Sequence, residues 1–189
     1  MDSNQYGNVK GCSTTHALVH LIHQWFAATD KPHTVIRSCM IDFSKAFHRI
    51  DHNILLNKLQ RLGVPPLLIN WCADFLQQRY LRVVLGPFKS SWNAVHAGVP
   101  QGTKLGPLFF LVMIKDLTTK TPIYKYVDDC STFEVTSITH TSHLQDELNE
   151  ICNWTTTNNM QLNSKKTKEL RISFLKQSPT FDHLLANGT

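Results

Sequence analysis

The spacing of apolar positions changes along the chain, and each change marks an element. Ala17, Leu18, Leu21, Ile22 and Trp25 recur at helical intervals behind Ser13, which can cap a helix running to about residue 28. Pro32 ends that pattern. Residues 35–43 are mostly apolar without alternation, the pattern of a strand buried on both faces. A helix over 53–62 follows and is stopped by Gly63. Pro65 and Pro66 open another, with Leu67, Leu68, Trp71, Cys72, Phe75 and Leu76 on its apolar side. Residues 81–85 and 91–96 read as a hairpin about Gly86 and Pro87. Residues 103–117 are apolar enough for a buried helix, with Pro107 confined to its first turn or two.

Residues 123–127 and 131–135 are short β-prone runs on either side of Asp128 and Asp129, a pair that suits a turn. Leu144, Leu148, Ile151 and Cys152 have helical spacing, and 168–174 alternates enough for a last strand. Residues 177–189 carry no clear pattern. With 51–98 set aside as an insertion, the order is βαββαβ, the split ferredoxin-like unit of an α+β fold.

Composition narrows the classes without choosing a function. The 189 residues suit one domain, or a domain with a small lobe. With 42% hydrophobic and 17% charged residues, the chain is not generally disordered. The net charge of +5 suits an acidic partner such as nucleic acid, but many plain domains are as basic. The longest apolar run, 108–114, is far short of the ~20 residues a membrane span needs. The N-terminus has neither the basic nor the apolar segment of a secretory signal. The five scattered cysteines, without a C-x-x-C, point to an intracellular, reducing compartment, nucleus or cytoplasm.

Three aspartates stand where acids are costly. Asp42 ends an apolar strand, and Asp128 and Asp129 tip the run Tyr124, Lys125, Tyr126, Val127. In a βαββαβ sheet the first strand neighbours the strand-turn-strand hairpin, so Asp42 and Asp128 could converge. Oxygen-only ligands suit Mg²⁺ rather than Zn²⁺. Acids solvated at strand ends are the alternative, and an isolated Asp-Asp turn does not decide between them. His16, His20 and His23 share a helix face one turn beyond Cys12, but no fourth ligand or H-E-x-x-H context makes a zinc site of them.

Three segments in order decide more. Asp42-Phe43-Ser44-Lys45-Ala46-Phe47, Gly98-Val99-Pro100-Gln101-Gly102-Thr103 and Tyr126-Val127-Asp128-Asp129 resemble motifs A, B and C of reverse transcriptases. The text between them, Leu62-Gly63-Val64-Pro65 and Leu105-Gly106-Pro107-Leu108-Phe109, is similar to the polymerases of non-LTR (LINE-type) retrotransposons, as are Leu162-Asn163 and Lys166-Thr167. The resemblance covers roughly residues 5–175.

The resemblance implies RNA-directed DNA synthesis by two-metal nucleotidyl transfer, with an RNA template, a DNA primer and deoxynucleoside triphosphates as partners. It makes Asp42, Asp128 and Asp129 catalytic, and with the Phe43 carbonyl ligands to two Mg²⁺ ions, Mn²⁺ being a substitute. Ala46, Phe47, Gln101 and Gly102 become nucleotide-binding, Phe47 under the incoming sugar; otherwise Phe47 is a core aromatic and Gln101-Gly102 an ordinary turn. Lys166 becomes a general acid for the leaving pyrophosphate, or else part of a solvated run with Lys165 and Lys168. Arg79, Arg82 and Lys89 face nucleic-acid phosphates, or simply water.

The implied organisation is a residual fingers segment over 1–34, palm over 35–50, an inserted fingers, helical and hairpin segment over 51–98, palm again over 99–175, and a disordered tail over 176–189. The thumb, part of the fingers and any endonuclease segment of a parent protein are expected to lie outside this chain. Two positions depart from the family: His48 stands where it usually has Asp after Ala-Phe, and Lys115 where Asn is frequent. A second reading therefore stays open, a catalytically inactive retroelement remnant that keeps the palm fold and binds nucleic acid. On either reading this chain alone is expected to extend a primer poorly.

Overall fold

The structure is a computed structural model that describes residues 4–137, 140–176 and 180–186. In chain order its elements are α1 (Thr14–Thr29), β1 (Thr34–Ile41), a 3-10 turn (Ala46–His48), α2 (His52–Arg61), α3 (Pro66–Leu76), β2 (Arg79–Leu81), β3 (Val84–Leu85), β4 (Phe88–Lys89), β5 (Asn93–Val95), α4 (Leu105–Ile114), β6 (Ile123–Tyr126), β7 (Asp129–Ser137), α5 (Leu144–Thr157) and β8 (Lys168–Ser173). They fall into two units, one of residues 1–44 with 115–189 and one of 45–114. Among the described residues no helix is long and apolar enough to cross a membrane.

The first unit is built on an antiparallel four-stranded sheet in the order β6-β7-β1-β8. β1 is a central strand, buried at Val35 to Cys39 and at Ile41, as its continuous apolar run requires. Ile36 packs with Leu21 and Ala28 of α1, Tyr124 and Phe133, and Tyr6, Trp25 and Ile172 close that cluster. Ser13 caps α1 by accepting from the His16 amide. Leu144, Leu148 and Ile151 bury one side of α5, which contacts β1.

β1 also buries Arg37, 3% exposed, which no apolar pattern anticipates. A buried guanidinium needs all its donors used. Arg37 Nε donates to Glu169 on β8 at 2.8 Å, Nη1 to Ser142 Oγ and Nη2 to the Asp182 carbonyl at 3.0 Å. Arg171 donates to the same carboxylate at 2.6 and 3.0 Å. Within the segment 176–189, expected as a disordered tail, the described residues thus have partners: Asp182 through its carbonyl, and Leu185 through Gln145 at 2.9 Å.

The second unit packs α2 against α3 and α4. Asp51 caps α2 by accepting from the Asn53 and Ile54 amides at 2.9 and 3.0 Å. Its other end closes in a Schellman pattern: the Gly63 amide reaches Gln60, the Val64 amide reaches Leu59, and Gly63 takes φ +75°. α4 is apolar all round and buries Phe109, Phe110, Met113 and Ile114. Lys58 Nζ donates to the Met113 carbonyl at 2.7 Å, so a buried ammonium meets the free carbonyls at that helix end.

Two expectations change here. The apolar side of α3 is only partly covered: Cys72 and Leu76 are buried, but Leu67, Leu68 and Trp71 are exposed. The single hairpin over 81–96 is two short ladders, β2 with β5 and β3 with β4, the inner one turning at Gly86 and Pro87. Arg82 and Val83 lie in neither ladder, and the Arg82 guanidinium stacks 4.5 Å from the Trp92 ring centroid.

Burial alone would raise the Glu169 carboxyl, but hydrogen bonds from Arg171 and Arg37, with their charges, hold it below its ordinary 4.5. A group with a depressed folded-state pKa stabilises above its unfolded value and stops doing so as pH falls through the folded one. Glu169→Gln should therefore cost about 2 kcal/mol at pH 7, by urea unfolding. The loss should shrink as pH drops below 4.5. An equal loss at low pH would contradict the ionic origin.

Candidate active site

One end of the first unit's sheet gathers the carboxylates. Ile41 pairs with Cys130 across β1 and β7, so one step further the chains present Asp42 and Asp129. Opposite residues in an antiparallel pair stand about 4.5–5.5 Å apart at Cα. Tyr126 pairs with Asp129, leaving Val127 and Asp128 as the two-residue turn. Asp42 and Asp128 are half-buried and Asp129 is exposed.

The Asp42 backbone is held on both sides. Its amide donates to Thr167 Oγ1 at 3.4 Å, and its carbonyl accepts from the Asn163 amide at 2.8 Å. Phe43 bridges to Leu162, and the Ser44 amide donates to the Gln161 carbonyl at 2.8 Å. The Asn163 carbonyl also accepts from the Lys166 and Thr167 amides, which closes a turn and leaves Lys166 exposed on it. Leu162-Asn163 and Lys166-Thr167 thus clamp the strand end that carries Asp42.

Burial raises the Asp128 carboxyl above its ordinary 3.8, and the charges of Asp129 and Asp42 raise it further against a lowering bond from its own amide. Among the described residues no Lys, Arg or His forms an ion pair with any of the three aspartates. Three carboxylates with the nearby Phe43 carbonyl are an oxygen-only donor set without a counter-charge, which suits a hard divalent cation. Among the described residues, no three His, Cys, Asp or Glu side chains already form a metal-ligand group. The donor chemistry fits; the closed geometry is not preformed.

The turn itself is strained. Val127 has φ +59°, a left-handed conformation unfavourable for a β-branched residue and normally given to glycine in a type II′ hairpin. Such a conformation costs on the order of 1–3 kcal/mol and persists only where neighbours enforce it. The Val127 amide donates to Gln5 Oε1 at 3.2 Å, a partner that apolar patterning could not indicate.

The expected nucleotide-binding residues lie in the second unit. Ala46 is buried, and the Phe47 ring stacks on Phe110 with centroids 4.9 Å apart. The Val99 amide donates to the Phe47 carbonyl at 3.0 Å and the Gly98 amide to the Ile50 carbonyl at 2.8 Å, so the two motif segments lie side by side. Gly98 has φ +78° and sits against the His48 backbone, where a Cβ would fall 2.7 Å from His48 Cα. His48 is exposed. Gln101 is exposed, and Gly102 has φ +78° with open space around it.

Of the three basic residues expected to meet phosphates, Arg79 is turned inward. It donates to the Gly98 carbonyl at 2.5 Å and the Leu76 carbonyl at 3.0 Å, and burial lowers its pKa. Lys89 is exposed, and Arg82 is half-buried beside Trp92. On α1, His16 is engaged by Ser13, and His20 by a hydrogen bond with the Tyr6 hydroxyl.

Removing one charge from the gathered acids relieves both repulsion and desolvation. Asp128→Asn is therefore expected to raise the melting temperature of the metal-free chain at pH 7 by about 1–3 °C, read by circular dichroism. A lower melting temperature would mean that the carboxylate has a stabilising partner.

Residues 1–184 match the family described as reverse transcriptase (RNA-dependent DNA polymerase). The chain is 34% identical over 160 residues to the RNA-directed DNA polymerase from mobile element jockey of Drosophila melanogaster, covering 78% of this chain and 17% of that protein. It is 25% identical over 186 residues to the probable RNA-directed DNA polymerase from transposon X-element of the same fly, covering 93% of this chain and 20% of that protein. The chain thus spans about a fifth or less of the length of these relatives. Among solved structures it is similar to telomerase from Candida tropicalis in complex with a TWJ fragment of telomeric RNA, with a TM-score of 0.66 at 14% identity, covering 89% of this chain and 30% of that one. At that identity the likeness concerns the fold alone.

Proposed function

Since the chain belongs to the reverse transcriptase (RNA-dependent DNA polymerase) family, we propose that its four-stranded sheet belongs to the ferredoxin-like palm of a retrotransposon polymerase, over residues 35–50 and 99–175, and that Asp42, Asp128 and Asp129 carry its chemistry. The strand order supports the palm: numbered along the chain, the sheet runs 2-3-1-4, all antiparallel, which is the ferredoxin-like order. The observation that carries the catalytic assignment is the β1–β7 register, which ends on Asp42 and the aspartate hairpin.

Asp42, Asp128, Asp129 and the Phe43 carbonyl would hold Mg²⁺, or Mn²⁺ in its place. Two such ions, when bound, activate a primer 3′-hydroxyl and stabilise the leaving pyrophosphate. The protein groups position and select. The Phe47 ring, fixed by stacking on Phe110, would exclude a 2′-hydroxyl and favour deoxynucleotides. Gln101 offers an exposed amide and Gly102 an uncrowded backbone to nucleotide and template. Lys166, exposed on the turn that clamps Asp42, would give a proton to pyrophosphate. Arg82 and Lys89, with exposed Tyr80, Phe88 and Trp92, suit an RNA template and DNA primer through phosphate contact and stacking. Arg79 serves that surface indirectly, by holding the Gly98 loop.

The test is extension of oligo(dT) on poly(rA) with dTTP and Mg²⁺ or Mn²⁺. Incorporation by the 189-residue chain should be weak, because it spans only 17% of the length of the jockey polymerase it resembles. Asp128→Asn should abolish what there is. Incorporation that survives this substitution would overturn the catalytic assignment. No incorporation by the unaltered chain would favour the inactive remnant that His48 also suggests.

A further inference from the structure

The aspartate hairpin has a brace that comes from the start of the chain. Residues 4–6 lie along β6 as a short parallel edge: Gln5 bridges to Lys125, the Tyr6 amide donates to the Lys125 carbonyl at 2.9 Å, and the Lys125 amide donates to the Asn4 carbonyl at 2.8 Å. From this edge the Gln5 side chain reaches past the strand end. Its Oε1 accepts from the Val127 amide at 3.2 Å and from the Gly7 amide at 2.8 Å. Gln5 is 7% exposed, and its Nε2 has no hydrogen-bond partner among the described residues.

An orphaned buried donor is a cost, so what Gln5 contributes in this place is its acceptor. The acceptor meets the one residue of the turn whose backbone is strained. Gly7 completes the brace by close approach. A Cβ there would fall 2.5 Å from Val127 Cγ2 and 2.6 Å from the Val127 nitrogen, so only glycine lets the segment lie flat against the turn. The edge is itself tied down: the Tyr6 hydroxyl hydrogen-bonds His20 Nδ1 on α1, and the His20 ring meets Tyr124 edge-on at 5.2 Å.

We infer that Gln5, backed by Gly7, is a positioning residue that holds Val127 in its left-handed turn and so sets where Asp128 and Asp129 stand relative to Asp42. The catalytic consequence rests on the function proposed above; the structural one does not. Gln5 touches none of the reacting groups and works through the Val127 amide alone.

Amide hydrogen exchange on the 189-residue chain, read residue by residue by NMR, tests this. Gln5→Met keeps the shape and removes the acceptor. It should speed exchange at Val127 by about tenfold, the worth of one hydrogen bond, while amides of β1 and β7 keep their protection. Gln5→Glu retains an acceptor oxygen and should keep Val127 protected. Gly7→Ala leaves Gln5 intact but pushes on the turn, and should shift the Val127 and Asp128 amide resonances. Unchanged exchange at Val127 in Gln5→Met, or equal loss in Gln5→Glu, overturns the brace. If Gln5→Met unfolds, Gln5→Glu and Gly7→Ala still decide: loss of protection in the first, or unmoved resonances in the second, overturns it. A failure of primer extension bears on the proposed function and leaves this measurement standing.

Discussion

The ladder between β1 and β7 is the constraint from which the rest of the site follows. Its eight paired positions run from Thr34 with Ser137 to Ile41 with Cys130, and the next residues outward are aspartates on both strands. A one-residue slip would turn every side chain of β1 to the opposite face. It would carry Ile36 out of the cluster with Leu21, Tyr124 and Phe133, and Arg37 away from Glu169. Core packing on one face and a buried ion pair on the other therefore fix the register, and the register places Asp42 at the same sheet end as the aspartate hairpin.

What the register assembles is unfavourable in itself. The Asp128 carboxyl is desolvated and faces two like charges, and the turn beside it is strained at Val127. The surrounding elements absorb the cost: the 161–167 segment clamps Asp42 through its backbone, and the Gln5–Gly7 edge supports Val127. Strain and uncompensated charge at one end of a well-packed sheet are the features that the proposed cation site would use.

Much of this was legible in the sequence, for identifiable reasons. β1 declared itself because a doubly buried strand has a continuous apolar run, and Asp42 stood out at the end of it. Ser13, Gly63 and Pro66 marked helix ends because capping chemistry is local. Long-range contacts were not legible. Leu67, Leu68 and Trp71 have helical spacing, yet spacing reports an apolar face and not whether anything covers it. Arg79 looked like a phosphate contact because its destination, the Gly98 carbonyl, is 19 residues away. Gln5 gave no signal, since a polar residue in an unpatterned stretch reveals nothing of an amide 122 residues downstream.

Cation binding by the aspartates tests the central claim most directly, because it does not depend on template or primer. Mn²⁺ titrated into the 189-residue chain and followed by electron paramagnetic resonance should bind saturably, be displaced by Mg²⁺, and lose that binding when Asp42 and Asp128 are both replaced by Asn. Binding of the same stoichiometry and affinity in the doubly substituted chain, or none in the unaltered one, would contradict the assignment of these carboxylates to a metal-dependent active site.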